Sequence, residues 1–193
     1  MNKHHDNQEI ACQQVLLEDS SVFSIQWSTF PTQIAADLTP LGLLECYLSY
    51  IRRATCSVIR PTSSATGIDF RLLGSTWSLI NFLPPETGEN ITTIRICGGL
   101  LVQPHQCHRG ELRFTVEQTP EGIKVGLQLS EYCPLILGSS SPSSLRRWLY
   151  RFTQAAIHRL VTVRFLVMLY RDLAGSTAHV QIVNVQVRNG SPI

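Results

Sequence analysis

Apolar and polar positions alternate through the middle of the chain. In "ELRFTVEQ" (111–118), Leu112, Phe114 and Val116 share one face. In "IKVGLQLSEY" (123–132), Ile123, Val125, Leu127 and Leu129 do the same. A period of two is that of a strand with one face in a core. "GIDFRLLG" (67–74), "TWSLINFL" (76–83) and "ITTIRICGGLLV" (91–102) also read as strands. Turn signals separate them: Gly74-Ser75, Pro84-Pro85 with Gly88, Pro104, and Pro120-Glu121-Gly122. Short consecutive strands joined by tight turns predict an antiparallel meander. An earlier strand is read at 22–29, "VFSIQWST", and a last one at 179–189, "HVQIVNVQVRN".

The period changes to that of a helix in two further places. After Pro31, a short helix is read over 32–37, and Pro40 opens a second. In the second, Leu43, Leu44, Tyr47, Leu48 and Ile51 recur at helical spacing, with Arg52 and Arg53 at the dipole's negative end. The longest helical pattern runs from about 144 to 173, capped by Ser143 or Ser144 and ended by Gly175. Leu145, Leu149, Phe152, Ala156, Leu160, Val163, Val167 and Tyr170 repeat by threes and fours, a stripe of about eight turns. The predicted fold is therefore α+β: an antiparallel sheet around one long C-terminal helix, two short helices after the first strand, and an extra C-terminal strand. Residues 1–20 read as a polar extension, 21–175 as the domain and 176–193 as a strand and tail.

Composition narrows the classes. The chain has 193 residues, 44% hydrophobic and 16% charged, so a full core is available. The net charge of +2 gives no polyelectrolyte field and weighs against nucleic acid as a partner. The start, "MNKHHDNQEIACQQ", has no apolar stretch of the secretory kind, and arginines interrupt the longest apolar run before it reaches a membrane span. The six cysteines form no Cys-x-x-Cys pair. Reduced thiols and a cytoplasmic location are the expectation.

The stretch "LLVQPHQCHRGELRFTVEQTPEGIKVGLQL", a proline-serine linker and an arginine-rich helix follow one another. This order resembles the SRPBCC superfamily, which includes the START lipid-transfer domains, the birch-pollen-allergen-like proteins and the polyketide cyclases. It is most similar to an uncharacterised bacterial and plant family within it. Gly110-Glu111 match that family's Gly-Glu step, and Glu121-Gly122 its acidic-glycine turn. The family's histidine falls at Gln106, one place from His105, so loop chemistry is not carried over. The resemblance covers about 21–174. It implies a helix-grip fold, a curved sheet wrapped on the long helix with a cavity between them.

Candidate chemistry follows from that arrangement. Trp27, Phe70, Trp77, Phe82, Phe114, Trp148 and Phe152 lie on the elements that would line such a cavity, and the same residues could equally fill a core. His105 and His108, in the loop at one mouth, could touch a ligand. With Cys107 they lack the spacing of an established metal site, so a polar turn between strands is the leading reading and a metal set the minor one. No cofactor and no metal are expected. No Gly-x-Ser-x-Gly elbow, phosphate loop or paired carboxylates occur, so no catalytic residue is assigned. The leading reading is non-enzymatic binding of a small apolar ligand. A weaker one is a cyclase- or hydrolase-like enzyme using His105 or His108 as acid and base.

The long helix carries two more expectations. Arg146, Arg147, Arg151 and His158 project away from the apolar stripe, as a solvated face or an anion-binding one. Val161, Phe165, Met168 and Leu169 also project to that outer side. They would form an interface for a homo-oligomer or for the tail strand.

Overall fold

The computed structural model describes residues 7–104, 109–138, 145, 150, 155–175 and 179–193. Two strands come first, β1 (Asn7–Leu16) and β2 (Val22–Phe30). Two helices follow, α1 (Thr32–Ala35) and α2 (Pro40–Ala54). Thr39 caps α2, its hydroxyl accepting from the Gly42 N–H at 3.1 Å, and Pro40 sits where a missing N–H costs nothing. The meander is β3 (Ile59–Ser64), β4 (Gly67–Leu72), β5 (Ser78–Phe82), β6 (Glu86–Thr87), β7 (Ile91–Gly98), β8 (Glu111–Thr119) and β9 (Gly122–Tyr132). The long helix α3 (Ala156–Ala174) and the strands β10 (His179–Asn184) and β11 (Ser191–Pro192) complete the described chain. Leu145, Tyr150 and Ala155 are also helical, Ala155 in a wide π-type turn.

The strands form one large mixed sheet in the order β10-β1-β2-β9-β8-β7-β5-β4-β3. β11 adds to β1, and β6 to β7. Every neighbouring pair is antiparallel except β1 with β10, which run parallel from Asn7↔His179 to Cys12↔Asn184. The expectation of a purely antiparallel sheet is corrected there. Residues 7–16 of the expected polar extension are a strand in the sheet, held between β2 and β10. Their inward residues Ile10, Cys12 and Leu16 are buried, which stabilises a segment whose composition is otherwise polar. His4 and His5 lie outside the described residues.

The alternation in β8 and β9 packs as read. Leu112, Phe114, Val116, Ile123, Val125, Leu127 and Leu129 are all buried on the face toward the helices. The β8–β9 turn closes between Thr119 and Gly122, with the Thr119 hydroxyl bonded to the Gly122 carbonyl at 2.9 Å. Gly122 has φ +141°, and a Cβ there would run into the Phe30 carbonyl oxygen. Gly122→Ala is therefore expected to destabilise the protein by about 1–3 kcal/mol, read as a lower midpoint in urea unfolding with an unchanged slope.

The buried face of α3 keeps Val163 and Tyr170 of the expected stripe but is rotated so that Leu160 lies outside it. Thr162, Val163, Phe165, Leu166, Leu169 and Tyr170 are buried, while Leu145 is 72% and Leu160 49% exposed. The reason is that two layers cover the helix. Tyr170 meets Phe30 of the sheet edge-on, with ring centroids 5.3 Å apart. On another side Phe165 meets Tyr47 at 5.2 Å and Tyr50 at 5.5 Å, both from α2. So Phe165 and Leu169, expected at an outer interface, are core residues under α2. Val161 and Met168 are half-buried, and the Arg53 guanidinium lies 3.7 Å from the Met168 sulfur. A helix apolar on nearly every side gives no unique phase from its sequence. The sandwich between sheet and α2 selects it. Ser143, Ser144, Arg146, Arg147, Leu149 and Arg151 lie outside the described residues.

Candidate functional site

The aromatic residues expected around a cavity separate into three groups. Phe70, Phe82 and Phe114 point inward and are core: Phe70 and Phe82 pack edge-on at 5.3 Å, and Phe114 lies 5.4 Å from Tyr47. Trp27 is a correction. It lies on the face of β2 opposite to Phe30, half-buried, with the Lys124 ammonium 4.9 Å from its ring. Trp77 is a second correction: it is 66% exposed in the turn before β5. Trp148, Phe152, His105, Cys107 and His108 lie outside the described residues. Among the described residues no group of three His, Cys, Asp or Glu side chains could hold a metal ion.

What faces α3 from β1 and β2 is polar. Side chains alternate along a strand, so the face that carries Val22 and Phe30 also carries Ser24, Gln26 and Ser28. Antiparallel register sets Cys12 opposite Gln26 and Gln14 opposite Ser24. All five are buried. The Gln8 amide donates to the Ser28 hydroxyl at 2.5 Å and to the Thr29 carbonyl at 2.8 Å. The Gln14 amide donates to the Ala155 carbonyl at 3.3 Å, a group in the wide turn at the start of α3. The Gln26 amide donates to the Ser24 hydroxyl at 2.8 Å and lies 3.6 Å from the Cys12 sulfur. Ser24 Oγ in turn lies 3.4 Å from His158 Nδ1.

His158 was expected on the solvated face beside the arginines. It lies against β2 instead, because the buried phase of α3 carries it inward with Thr162. Desolvation pushes its pKa down to about 4, so the ring is neutral near pH 7. A neutral ring can accept from Ser24 at Nδ1 while Ser24 accepts from Gln26. That leaves Gln26 Oε1 fully buried without a hydrogen-bond partner. A buried polar atom of this kind calls for a water or a ligand group.

An open groove lies beside this polar layer, between α3 and the strands at the sheet edge. It has a volume of about 430 Å³ and is walled by Leu160, Val163, Ile182 and Ile193, with Gln14 and Arg159. A second hollow of about 440 Å³ shares Gln14, Arg159 and Ile193 and extends under the tail to Cys12 and Arg188. Arg159 bonds Asn184 Oδ1 at 3.0 Å and has no acidic partner among the described residues. The tail is tied down by Gln13, whose Oε1 accepts from the N–H groups of Val187 and Arg188 at 2.8 and 2.9 Å. Gln14 thus joins the groove to the polar layer, and Arg159 supplies a cation at its wall.

Sequence reading missed this site because its residues look wrong for a core. "SIQWST" alternates with its larger apolar residues, Ile25 and Trp27, on the outer face. One usable signal was present: Gln8, Cys12 and Gln14 fall on one strand face at separations that are multiples of two, as Ser24, Gln26 and Ser28 do.

A separate ion-pair cluster stands at the far end of β9. Asp19 accepts from the Ser21 N–H at 3.0 Å and the Ser21 hydroxyl at 2.6 Å, and pairs with Arg109. Partial burial works to raise its pKa, but the Ser21 bonds and the Arg109 guanidinium outweigh it and bring it down to about 2. Half of this cluster is at the surface and its bonds are satisfied. It reads as the anchor of the 17–21 turn.

No protein-family model matches the chain, and no curated protein matches it. Among solved structures, the chain is similar to CalU16 from Micromonospora echinospora. The solution structure of that protein aligns at 13% identity over 90% of this chain and 79% of the other, with a TM-score of 0.40. Its crystal structure aligns at 13% identity over 89% of this chain and 98% of the other, with a TM-score of 0.32.

Proposed function

We propose that this chain is a helix-grip protein that binds a small apolar molecule, without catalysis, between the sheet and α3. The groove at the α3–β10 edge carries the reading. Its volume of about 430 Å³ falls in the range of small-molecule sites. Its walls are aliphatic, and its polar groups are few and placed: the Arg159 guanidinium and the Gln14 amide. That combination suits an apolar chain or ring with one anionic end. Burial of apolar surface supplies the affinity, and the guanidinium fixes the orientation. The Gln26 acceptor behind Cys12 and Gln14 offers a further bond to a donor on the ligand or to a bridging water.

Decanoate is a suitable probe, having an aliphatic chain and a carboxylate. The wild-type protein is expected to bind it in a calorimetric titration. Leu160→Trp fills the groove from a half-exposed position and is expected to weaken binding at least about tenfold, with the fold intact. Arg159→Ala is expected to cost about tenfold through the lost charged hydrogen bond. Equal affinity in wild type and both variants would remove the groove as the site.

A second reading is favoured by one observation. β10 is one edge of the sheet and its Ile182 is 49% exposed, while Ile157 in the first turn of α3 is 61% exposed. An unpaired edge next to aliphatic side chains is a surface for a second copy of the chain. Light scattering separates the two: the ligand reading expects a monomer that binds decanoate, and the interface reading expects a dimer lost in Ile157→Ser/Ile182→Ser.

A further inference from the structure

At the other side of the sheet from the groove, four large apolar side chains are exposed together. They are Leu73 at 65%, Trp77 at 66%, Leu100 at 49% and Val58 at 42%. They are neighbours in space. The Leu73 N–H donates to the Val58 carbonyl at 2.7 Å, and the Leu100 N–H to the Ser78 carbonyl at 3.0 Å. Trp77 and Leu100 wall the same shallow hollow. The turn that presents them is firmly closed. Leu72 accepts from Ser75 through both its N–H and its hydroxyl, at 2.9 and 2.7 Å, and the Trp77 N–H donates to the Ser75 hydroxyl at 3.1 Å.

The backbone here is unfavourable for the residue it carries. Leu73 has φ +51° and Gly74 φ +72°, two successive left-handed residues. That conformation suits the glycine and not a leucine, and burial of Leu73 offers no compensation. A strained backbone that holds an apolar side chain out in water points to a surface that something else covers.

The charge around the tip identifies the covering. Residues 52–83 hold four arginines, Arg52, Arg53, Arg60 and Arg71, against the single acid Asp69. Asp69 is already taken, by Arg71 at 2.9 Å and by the Asn81 amide at 2.6 Å. Arg60 stands at the tip itself: a Cβ on Gly74 would lie 3.0 Å from its Nη1. Arg52 and Arg53 end α2, and their carbonyls accept from Ser57 and Cys56, just before Val58. The covering surface is therefore anionic and apolar at once.

We propose that the tip formed by Val58, Leu73, Trp77 and Leu100 docks on the surface of an anionic lipid bilayer. Trp77 and Leu73 enter the boundary between headgroups and acyl chains, the level that suits an indole with one polar edge. Arg60 stays among the lipid phosphates. A turn is convex and fits a lipid surface, where a peptide partner needs a groove. A second copy would bring a second set of the same arginines to the contact, like charge meeting like charge. No described helix is long and apolar enough to cross a membrane.

The test is co-sedimentation of the full chain with vesicles of phosphatidylcholine alone and of phosphatidylcholine with phosphatidylserine, at low and physiological salt. The wild type is expected to bind the phosphatidylserine vesicles, more weakly as salt rises, and to leave neutral ones largely free. Arg60→Glu is expected to lower binding about fivefold or more. Leu73→Ser/Trp77→Ser is expected to lower it at least as far. Both change exposed side chains, and an unchanged thermal midpoint or a higher one verifies folding. Brominated acyl chains should quench tryptophan emission in the wild type and lose most of that effect in Trp77→Phe. Absence of binding to phosphatidylserine vesicles overturns the proposal, as does binding that the double variant leaves intact. A lipid-free dimer that the double variant dissociates also overturns it and assigns the tip to a second copy.

Discussion

Phe165→Ala is expected to cost about 3–5 kcal/mol of folding stability, the range for deleting a fully buried phenyl ring. Phe165 has no exposed surface and sits between α3 and α2, with Tyr47 and Tyr50 on its ring. Removing the ring withdraws the contact that fixes α2 on the helix. A protein of this size has a total stability of about 5–15 kcal/mol, so the loss is a large part of it. The control is Leu160→Ser on the same helix, which is half-exposed and should change stability by no more than about 0.5 kcal/mol. Urea unfolding of the two variants reads the difference. If Phe165 were an outer interface residue, the monomer would lose little in either case.

Acidification is expected to weaken the fold by up to about 3 kcal/mol between pH 6.5 and pH 4, and the half-buried His158 is the group responsible. Burial lowers its pKa from 6.5 to about 4. The folded chain therefore keeps the ring neutral over a range in which the unfolded chain protonates it. The contribution is fully present above pH 6.5, declines as pH falls, and is gone below about pH 4. At about 1.4 kcal/mol per pH unit, the span amounts to at most about 3 kcal/mol. Asp19 acts lower on the scale: its stabilisation is present above pH 3.8 and is lost as pH falls toward about 2. The two windows do not overlap, so a stability profile separates them. His158→Gln should flatten the profile between pH 6.5 and 4 and leave the lower fall in place. A variant profile still sloping through that upper range would assign the slope elsewhere.

Much of the architecture was legible because burial follows alternation where a strand has one dry face. β8 and β9 are the clearest cases, and α2 announced itself through Thr39, Pro40 and its apolar spacing. β3 was not legible. "IRPTSS" is polar and carries Pro61, and an edge strand needs no apolar face. β1 was not legible either, since its strand state depends on pairing with both β2 and the distant β10. The phase of α3 could not be read because apolar residues surround it, and α2 was not placed against it.

The candidate site escaped for a related reason. Core positions are usually sought among apolar residues, and here Ser24, Gln26 and Ser28 are the inward ones. Their burial is tolerable because they bond one another, Gln8 and the backbone. The one atom left over, Gln26 Oε1, marks where that accommodation is incomplete. Trp27, expected to line the cavity, lies outside for the same alternation that puts Gln26 inside.

The central claim is that a small apolar molecule lodges between α3 and the β10 edge. Methyl NMR of isoleucine-, leucine- and valine-labelled protein, titrated with decanoate, tests it most directly. The expected result is that the methyl signals of Leu160, Val163, Ile182 and Ile193 shift together along one saturating curve, and that Leu160→Trp abolishes the shifts. Shifts confined to other methyl groups, or none at saturating decanoate, would contradict it.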